Sequence, residues 1–324
     1  MNRTHSVSGA TVMVTGGCGF IGSHLVRALL ARGVERVVVV DSLRYGDRTN
    51  LSGAAPERIE LVQHTLGHDP KELLLPLFAN VNFLFHLAAE KHNQSKDDPV
   101  RVYTSNLLGM HTLLELAVAA GVQKVVYTSS LYAYGRMQGP PFVESELPEP
   151  RTVYGVTKLA GEHMLRYFQA ATGLDYTVLR YLFVYGPRQY AGMGYKSVIM
   201  KNFERLLEGL APTIYGDGRQ VLDYVFVDDV VEATIAAMEG APAGAVYNVG
   251  GGTEVSMLDA IEVLGRVAGR RLELLRAPRV EGDVARTAAD TSRIEADLGW
   301  KSRTSIEEGL EAQWHWAADR VAAA

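Results

Sequence analysis

Residues 11–15, Thr-Val-Met-Val-Thr, run directly into Gly16-Gly17-Cys18-Gly19-Phe20-Ile21-Gly22 and then into a helical pattern over 21–31. That succession constrains the fold more than anything else in the chain. A β-branched apolar run of this kind suits a strand covered on both faces, and a tight turn into a helix carries the chain back across the sheet. The texture repeats: 36–40, 81–86, 124–128 and 175–179 read as further strands, and 99–120 and 154–172 as helices. Strand–helix alternation predicts an α/β fold, a Rossmann-type doubly wound parallel sheet.

After Tyr185 the regular alternation stops. Loops at Gly186-Pro187 and 192–194 precede a helix over 197–208, breaks at Pro212, Gly216 and Gly218, and an alternating segment over 221–227. A helix over 228–239, a strand over 245–249, a helix over 256–268, a segment at 272–275 and a last helix over 305–318 follow. We therefore expect a Rossmann domain over 1–180 with returning elements at about 221–250. Residues 181–220 and 251–324 form a smaller α/β lobe in this reading.

Composition narrows the function classes. The 324 residues carry a formal net charge of −5 and no basic block, which argues against nucleic acid as a partner. A single cysteine, Cys18, makes no internal disulfide, and no metal-ligand spacing surrounds it. The polar N-terminus lacks the apolar core of a secretory signal, and the apolar stretch 73–89 is broken by Pro76, Asn80 and Asn82. The expectation is a cytoplasmic protein with no membrane span and no bound metal.

Glycines at 16, 19 and 22 give a turn off the strand, a close backbone approach to a pyrophosphate, and close packing of helix on sheet. The helix start at Phe20 and Ile21 offers free N–H groups to phosphates. The next strand ends in Asp41, which can accept the ribose hydroxyls of NAD and repels the 2′-phosphate of NADP. The plainer reading of Asp41 is a loop cap, and Arg44 keeps NADP in consideration.

Strand 124–128 ends in Ser129-Ser130, and Tyr154-Gly155-Val156-Thr157-Lys158 follows, the only Tyr-x-x-x-Lys in the chain. Tyrosine and lysine four apart share a helix face. A phenol is a poor base unless its anion is stabilised, and an ammonium group supplies that stabilisation. Such a pair, with Ser130 sharing the substrate oxygen, suits proton removal from an alcohol as hydride leaves its carbon.

These pieces, with Phe85-His86-Leu87-Ala88-Ala89, Asn106 with Gly109, 179–189, 214–229 and Leu298-Gly299-Trp300, run nearly end to end. Together they resemble the extended short-chain dehydrogenase/reductases of the nucleotide-sugar epimerase and dehydratase family. The resemblance implies NAD phosphates on Gly16, Gly19, Phe20, Ile21 and Gly22, and the adenosine ribose on Asp41. It implies a cofactor wall of Leu87, Ala88 and Ala89, Lys91 near a ribose, and Asn106 bracing the helix behind. Tyr154 becomes the acid/base, Lys158 the ligand of the nicotinamide ribose, and Ser130 the group that orients substrate. Helices 99–120 and 154–172 become the faces of a homodimer.

Departures from the family pattern bear on the reaction. The acidic residues that many dehydratases carry after the catalytic hydroxyl are replaced by Leu131 and Tyr132, and the cysteine of 3,5-epimerases is absent. Phe183, Leu222 and Val280 stand where diphosphate-binding side chains are usual, and Thr65-Leu66 replaces a Gly-Asp pair. Arg188, Lys196, Arg219 and Arg279 are the candidates to compensate, each otherwise a solvated charge. Glu90 is a candidate second acid. His86 and His92, and Trp300, Trp314 and Trp316, read as packing residues. The expected function is NAD-dependent 4-epimerisation of a nucleotide sugar, UDP-linked by expectation. The alternatives are a dehydratase, a 4-ketosugar or cyclitol reductase, or a non-catalytic NAD sensor.

Overall fold

The computed structural model describes residues 4–135, 141–189, 198–270, 272–278 and 286–322. In chain order the first six strands are β1 (Thr11–Thr15), β2 (Arg36–Asp41), β3 (Ile59–Gln63), β4 (Phe83–His86), β5 (Lys124–Ser130) and β6 (Asp175–Tyr181). They are followed by β7 (Phe183–Tyr185), β8 (Thr213–Tyr215), β9 (Val221–Phe226), β10 (Ala245–Val249), β11 (Glu254–Ser256) and β12 (Leu275–Ala277). The helices of the first half are α1 (Phe20–Ala31), α2 (Gln94–Asp97), α3 (Pro99–Tyr103), α4 (Gly109–Ala119) and α5 (Val153–Thr172). Those of the second half are α6 (Val198–Leu207), α7 (Val227–Gly240), α8 (Met257–Val267), α9 (Ser292–Leu298) and α10 (Ile306–Ala322).

Seven strands form one sheet in the order β10-β6-β5-β4-β1-β2-β3, and every neighbouring pair is parallel. The strand order reverses between β1 and β4, and a ligand crevice opens at the carboxyl ends there. One face packs Leu25 and Leu29 of α1 with Val230 and Ile235 of α7. The other packs Leu113 and Leu114 of α4 with Leu165 and Phe168 of α5. Each of these buried side chains contributes roughly 1.5–3 kcal/mol. A third apolar cluster, with Phe203, Ile261, Leu264 and Leu310, joins α6, α8 and α10. No helix among the described residues is long and apolar enough to cross a membrane.

Three elements differ from the sequence reading. The edge strand β3 was not visible in the pattern, because its residues are only partly buried and Glu60 and Gln63 interrupt the apolar run. The segment expected to return to the main sheet divides: β10 pairs with β6, whereas β9 lies between β11 and β7 in a separate three-stranded sheet. The helix expected over 99–120 is interrupted by a π-helical turn at Thr104–Leu108. That turn holds Asn106, and Gly109 after it crosses so close to Leu66 that a Cβ would sit 2.7 Å from its carbonyl carbon.

Candidate active site

The glycine loop is shaped by contacts that leave no room for side chains. Gly16 has φ +75°, and a Cβ there would lie 2.9 Å from the Ala88 nitrogen; a Cβ on Gly22 would lie 2.1 Å from the Gly16 oxygen. No side chain caps the start of α1 at Gly19, so N–H groups of its first turn stay open toward the crevice. Gly16, Gly19, Phe20, Ile21 and Gly22 all line that crevice. Leu87, Ala88 and Ala89, packed against Gly16, line it as well, as do Thr65 and Leu66.

Asp41 lies at the tip of β2. Its Oδ2 accepts from the Cys18 N–H at 2.9 Å and its Oδ1 from the Leu43 N–H at 2.8 Å. It therefore caps the loop and lines the crevice at once, and burial raises its proton affinity above that of a free carboxylate. Arg44 donates to the Tyr45 hydroxyl at 2.8 Å. An uncapped helix start, a glycine cradle and a carboxylate at the next strand end fit the phosphates and ribose of NAD. Burial pushes the Cys18 thiol up to about 12, which makes it unreactive.

Thr128 of β5 lines the crevice, and Ser130, Tyr154 and Lys158, which are not among its lining residues, lie where α5 packs on the end of β5 beside it. Thr152 caps α5 by accepting from the Gly155 N–H at 3.0 Å, which sets Tyr154 in the first turn beside the end of β5. The Ser130 hydroxyl eases the ionisation of the Tyr154 phenol. One turn on, Lys158 Nζ donates to the Thr128 carbonyl at 2.7 Å and lies 5.7 Å from the Tyr154 ring centroid. Burial lowers the lysine to about 7, against the pull of Glu162. Burial raises the Tyr154 phenol above its ordinary value, and Ser130 works against that rise.

Around this centre the other sequence candidates separate. Lys91 Nζ lies 5.0 Å from the Tyr45 ring centroid at the crevice edge. Glu90, weighed as a second acid, is tied up: Arg101 donates to it at 2.7 Å and the Tyr45 hydroxyl at 3.0 Å. Asn106 sits behind, accepting from the Glu90 N–H at 2.8 Å and donating to the Glu90 carbonyl and to Thr157 Oγ1. His86 is bonded to Thr15 Oγ1 at 2.7 Å and stacked on Tyr127, and burial lowers it to about 3. His92 stacks on Tyr132, whose ring meets Tyr154 edge-on. Trp300 is buried with its Nε1–H on the Asp229 carbonyl, and Trp314 and Trp316 pack on the third cluster.

The candidates for the diphosphate are more scattered. Phe183 is half-buried beside Tyr224, with ring centroids 6.2 Å apart. Arg188, at φ 64°, turns toward α1, donating to His24 Nε2 at 3.3 Å and the Asn50 carbonyl at 3.4 Å. It does not line the crevice. Arg219 is exposed in a turn held by Asp217. Lys196, Arg279 and Val280 lie outside the described residues. Tyr45 and Glu162 were missed; for Glu162 the signal was its place four residues beyond Lys158.

A sequence model of the NAD dependent epimerase/dehydratase family matches residues 12–250. A UDP-glucose 4-epimerase from Mycolicibacterium smegmatis is 37% identical over 301 residues, 92% of this chain and 95% of that protein. The solved UDP-glucose 4-epimerase of Thermotoga maritima, with UDP-glucose, superposes with a TM-score of 0.89 at 34% identity, covering 96% of this chain and 99% of that one. A dTDP-glucose 4,6-dehydratase from Streptomyces venezuelae with NAD bound gives 0.88 at 31% identity, over 96% and 98%. With a dinucleotide cradle, a Ser-Tyr-Lys cluster and matches spanning nearly its whole length, the chain belongs to the NAD-dependent epimerase/dehydratase family.

Proposed function

We propose that the protein is a nucleotide-sugar 4-epimerase that inverts C4 through a 4-keto sugar, acting on a UDP-linked substrate. The observation that carries this reading is the Lys158 nitrogen, 5.7 Å from the centroid of the Tyr154 ring and 2.7 Å from the carbonyl of Thr128, a residue that lines the crevice. Bound NAD supplies a reversible hydride acceptor there. Tyr154 takes the proton from the sugar hydroxyl and returns it. Ser130 holds the same oxygen in line, so that proton and carbon are presented together. Lys158, with a proton affinity near neutrality, binds a ribose hydroxyl and adds positive charge beside the phenol when protonated.

Epimerisation is favoured over elimination because Leu131 and Tyr132 follow Ser130, so no carboxylic acid stands beside that hydroxyl in the chain. The Glu90 carboxylate is held by Arg101 and Tyr45. The sugar nucleotides bound by several relatives support a UDP-linked substrate. Exposed apolar residues on α3, the π-helical turn and α5 support a homodimer: Val100 (71% exposed), Leu108 (62%) and Tyr167 (64%). We place the enzyme in the cytoplasm.

Incubation with UDP-glucose, followed by NMR of the sugar product, tests the reading. UDP-galactose formation with no net NADH is expected. A product lighter by one water, or stoichiometric consumption of NADH, would replace it with a dehydratase or a reductase.

A further inference from the structure

Two successive residues at the end of β5 each hold one member of a single stripe on α5, and Ser130 follows them. The Thr128 carbonyl accepts from Lys158 at 2.7 Å and Ser129 Oγ donates to Glu162 Oε1 at 2.5 Å, while Ser130 eases the ionisation of Tyr154. Residues 154, 158 and 162 recur every four positions, so they stand one above another on the helix. Two of the three belong to the proposed chemistry. Glu162 does not, yet it is 7% exposed and fully engaged.

Its remaining partner is Arg180, which lies opposite Ser129 in the β5–β6 ladder. Arg180 Nε donates to Oε1 at 3.0 Å and a terminal nitrogen to Oε2 at 2.6 Å, with the guanidinium 4.5 Å from the Tyr134 ring centroid. A buried ion pair is costly to desolvate, and apolar packing joins α5 to the sheet elsewhere through Leu165 and Phe168. A charged tether at this one level needs a further reason, and its neighbour on the helix supplies one.

Lys158 is faced by Glu162 and Tyr154 from α5, by Tyr127 and Thr128 from β5, and by His86 from β4. Burial keeps His86 uncharged near neutral pH and holds both phenols protonated. Glu162 is the carboxylate that works against the desolvation of Lys158.

We propose that Glu162 is a positioning residue of the site. Through Ser129 it fixes the end of β5 from which Ser130 reaches Tyr154, and from one turn along α5 it sets a negative charge against the Lys158 ammonium. The inference rests on the reading of Tyr154 and Lys158 given above.

The test follows Lys158 directly by NMR of [ε-13C]lysine-labelled protein as purified, its signal assigned as the one lost in Lys158→Met. In Glu162→Gln the titration midpoint of Lys158 falls by about one pH unit or more, a tenfold loss of proton affinity, and Glu162→Asp restores part of it. The alkaline limb of kcat/KM for UDP-sugar turnover moves down with it. The double variant Glu162→Gln/Arg180→Gln strands neither charge and, should the single variant fold poorly, gives a smaller displacement in the same direction, because the Arg180 cation leaves with its partner. An unmoved midpoint in folded variants overturns the proposal. A wild type that turns over no nucleotide sugar, with the midpoint still displaced in Glu162→Gln, sinks the functional reading and leaves the role of Glu162 standing.

Discussion

The Lys158 ammonium donates to the Thr128 carbonyl across 2.7 Å, in a place where burial lowers its proton affinity to about 7. The unfolded chain, with an ordinary lysine near 10.5, binds this proton more readily. Stability linked to this group is therefore complete above pH 10.5 and is lost as pH falls toward 7, by up to roughly 4 kcal/mol. Lys158→Met removes that cost and gives up one hydrogen bond. A net gain of about 1–3 kcal/mol at pH 7 is expected, shrinking as pH approaches 10.5. Chemical denaturation at several pH values measures it. A variant less stable than wild type at every pH contradicts the argument.

Tyr154→Phe removes the hydroxyl whose ionisation Ser130 eases and leaves the glycine cradle untouched. Turnover should fall by about 10²–10⁴-fold, the usual contribution of a general acid–base group. Cofactor retained on purification, read by mass spectrometry, should match the wild type. Equal loss of both would mean that the hydroxyl serves to hold the cofactor instead.

Gly22→Ala would drive a methyl group into the Gly16 carbonyl, 2.1 Å away. The loop must shift, and the open N–H groups of α1 move with it. NAD affinity measured by titration calorimetry should drop at least about tenfold, since loss of 1.4 kcal/mol already does that. Unchanged affinity would show that the cradle is not where the phosphates bind.

Asp41→Asn keeps an acceptor but removes the negative charge at the tip of β2. Discrimination against NADP should weaken by about tenfold in Kd ratio, because a carboxylate repels a 2′-phosphate and an amide does not. Fluorescence titration with both cofactors decides it.

Leu108→Glu places a charge on the face with Val100, Tyr103, Val156 and Tyr167, the other large exposed apolar residues of α3, α5 and the turn between α3 and α4. Sedimentation should show wild type at twice the mass of the 35.4 kDa chain and the variant at the chain mass. Identical sedimentation of the two proteins removes this face as the interface.

Much of the frame was written in the order of residues. Local pattern marks β1, the glycine loop and α1, and it brings Tyr154 and Lys158 onto one helix face, because these features depend on neighbours a few positions apart. The partly buried edge strand β3 escaped, since a strand covered on one side carries a weaker pattern. The π-helical turn at 104–108 escaped too, because Asn106 opens it to reach the backbone of Glu90, sixteen residues away.

The sequence by itself determined the strand–helix alternation, the glycine loop between β1 and α1, and the sharing of one helix face by Tyr154 and Lys158. Only the tertiary structure decided that Arg188 turns toward His24, that Arg101 and Tyr45 hold Glu90, and that Ser129 and Arg180 converge on Glu162. The physical reason is that periodicity reports which face of an element is buried. A charge or a polar hydrogen acquires its role from the group that covers that face, and the fold brings that group from a distant part of the chain.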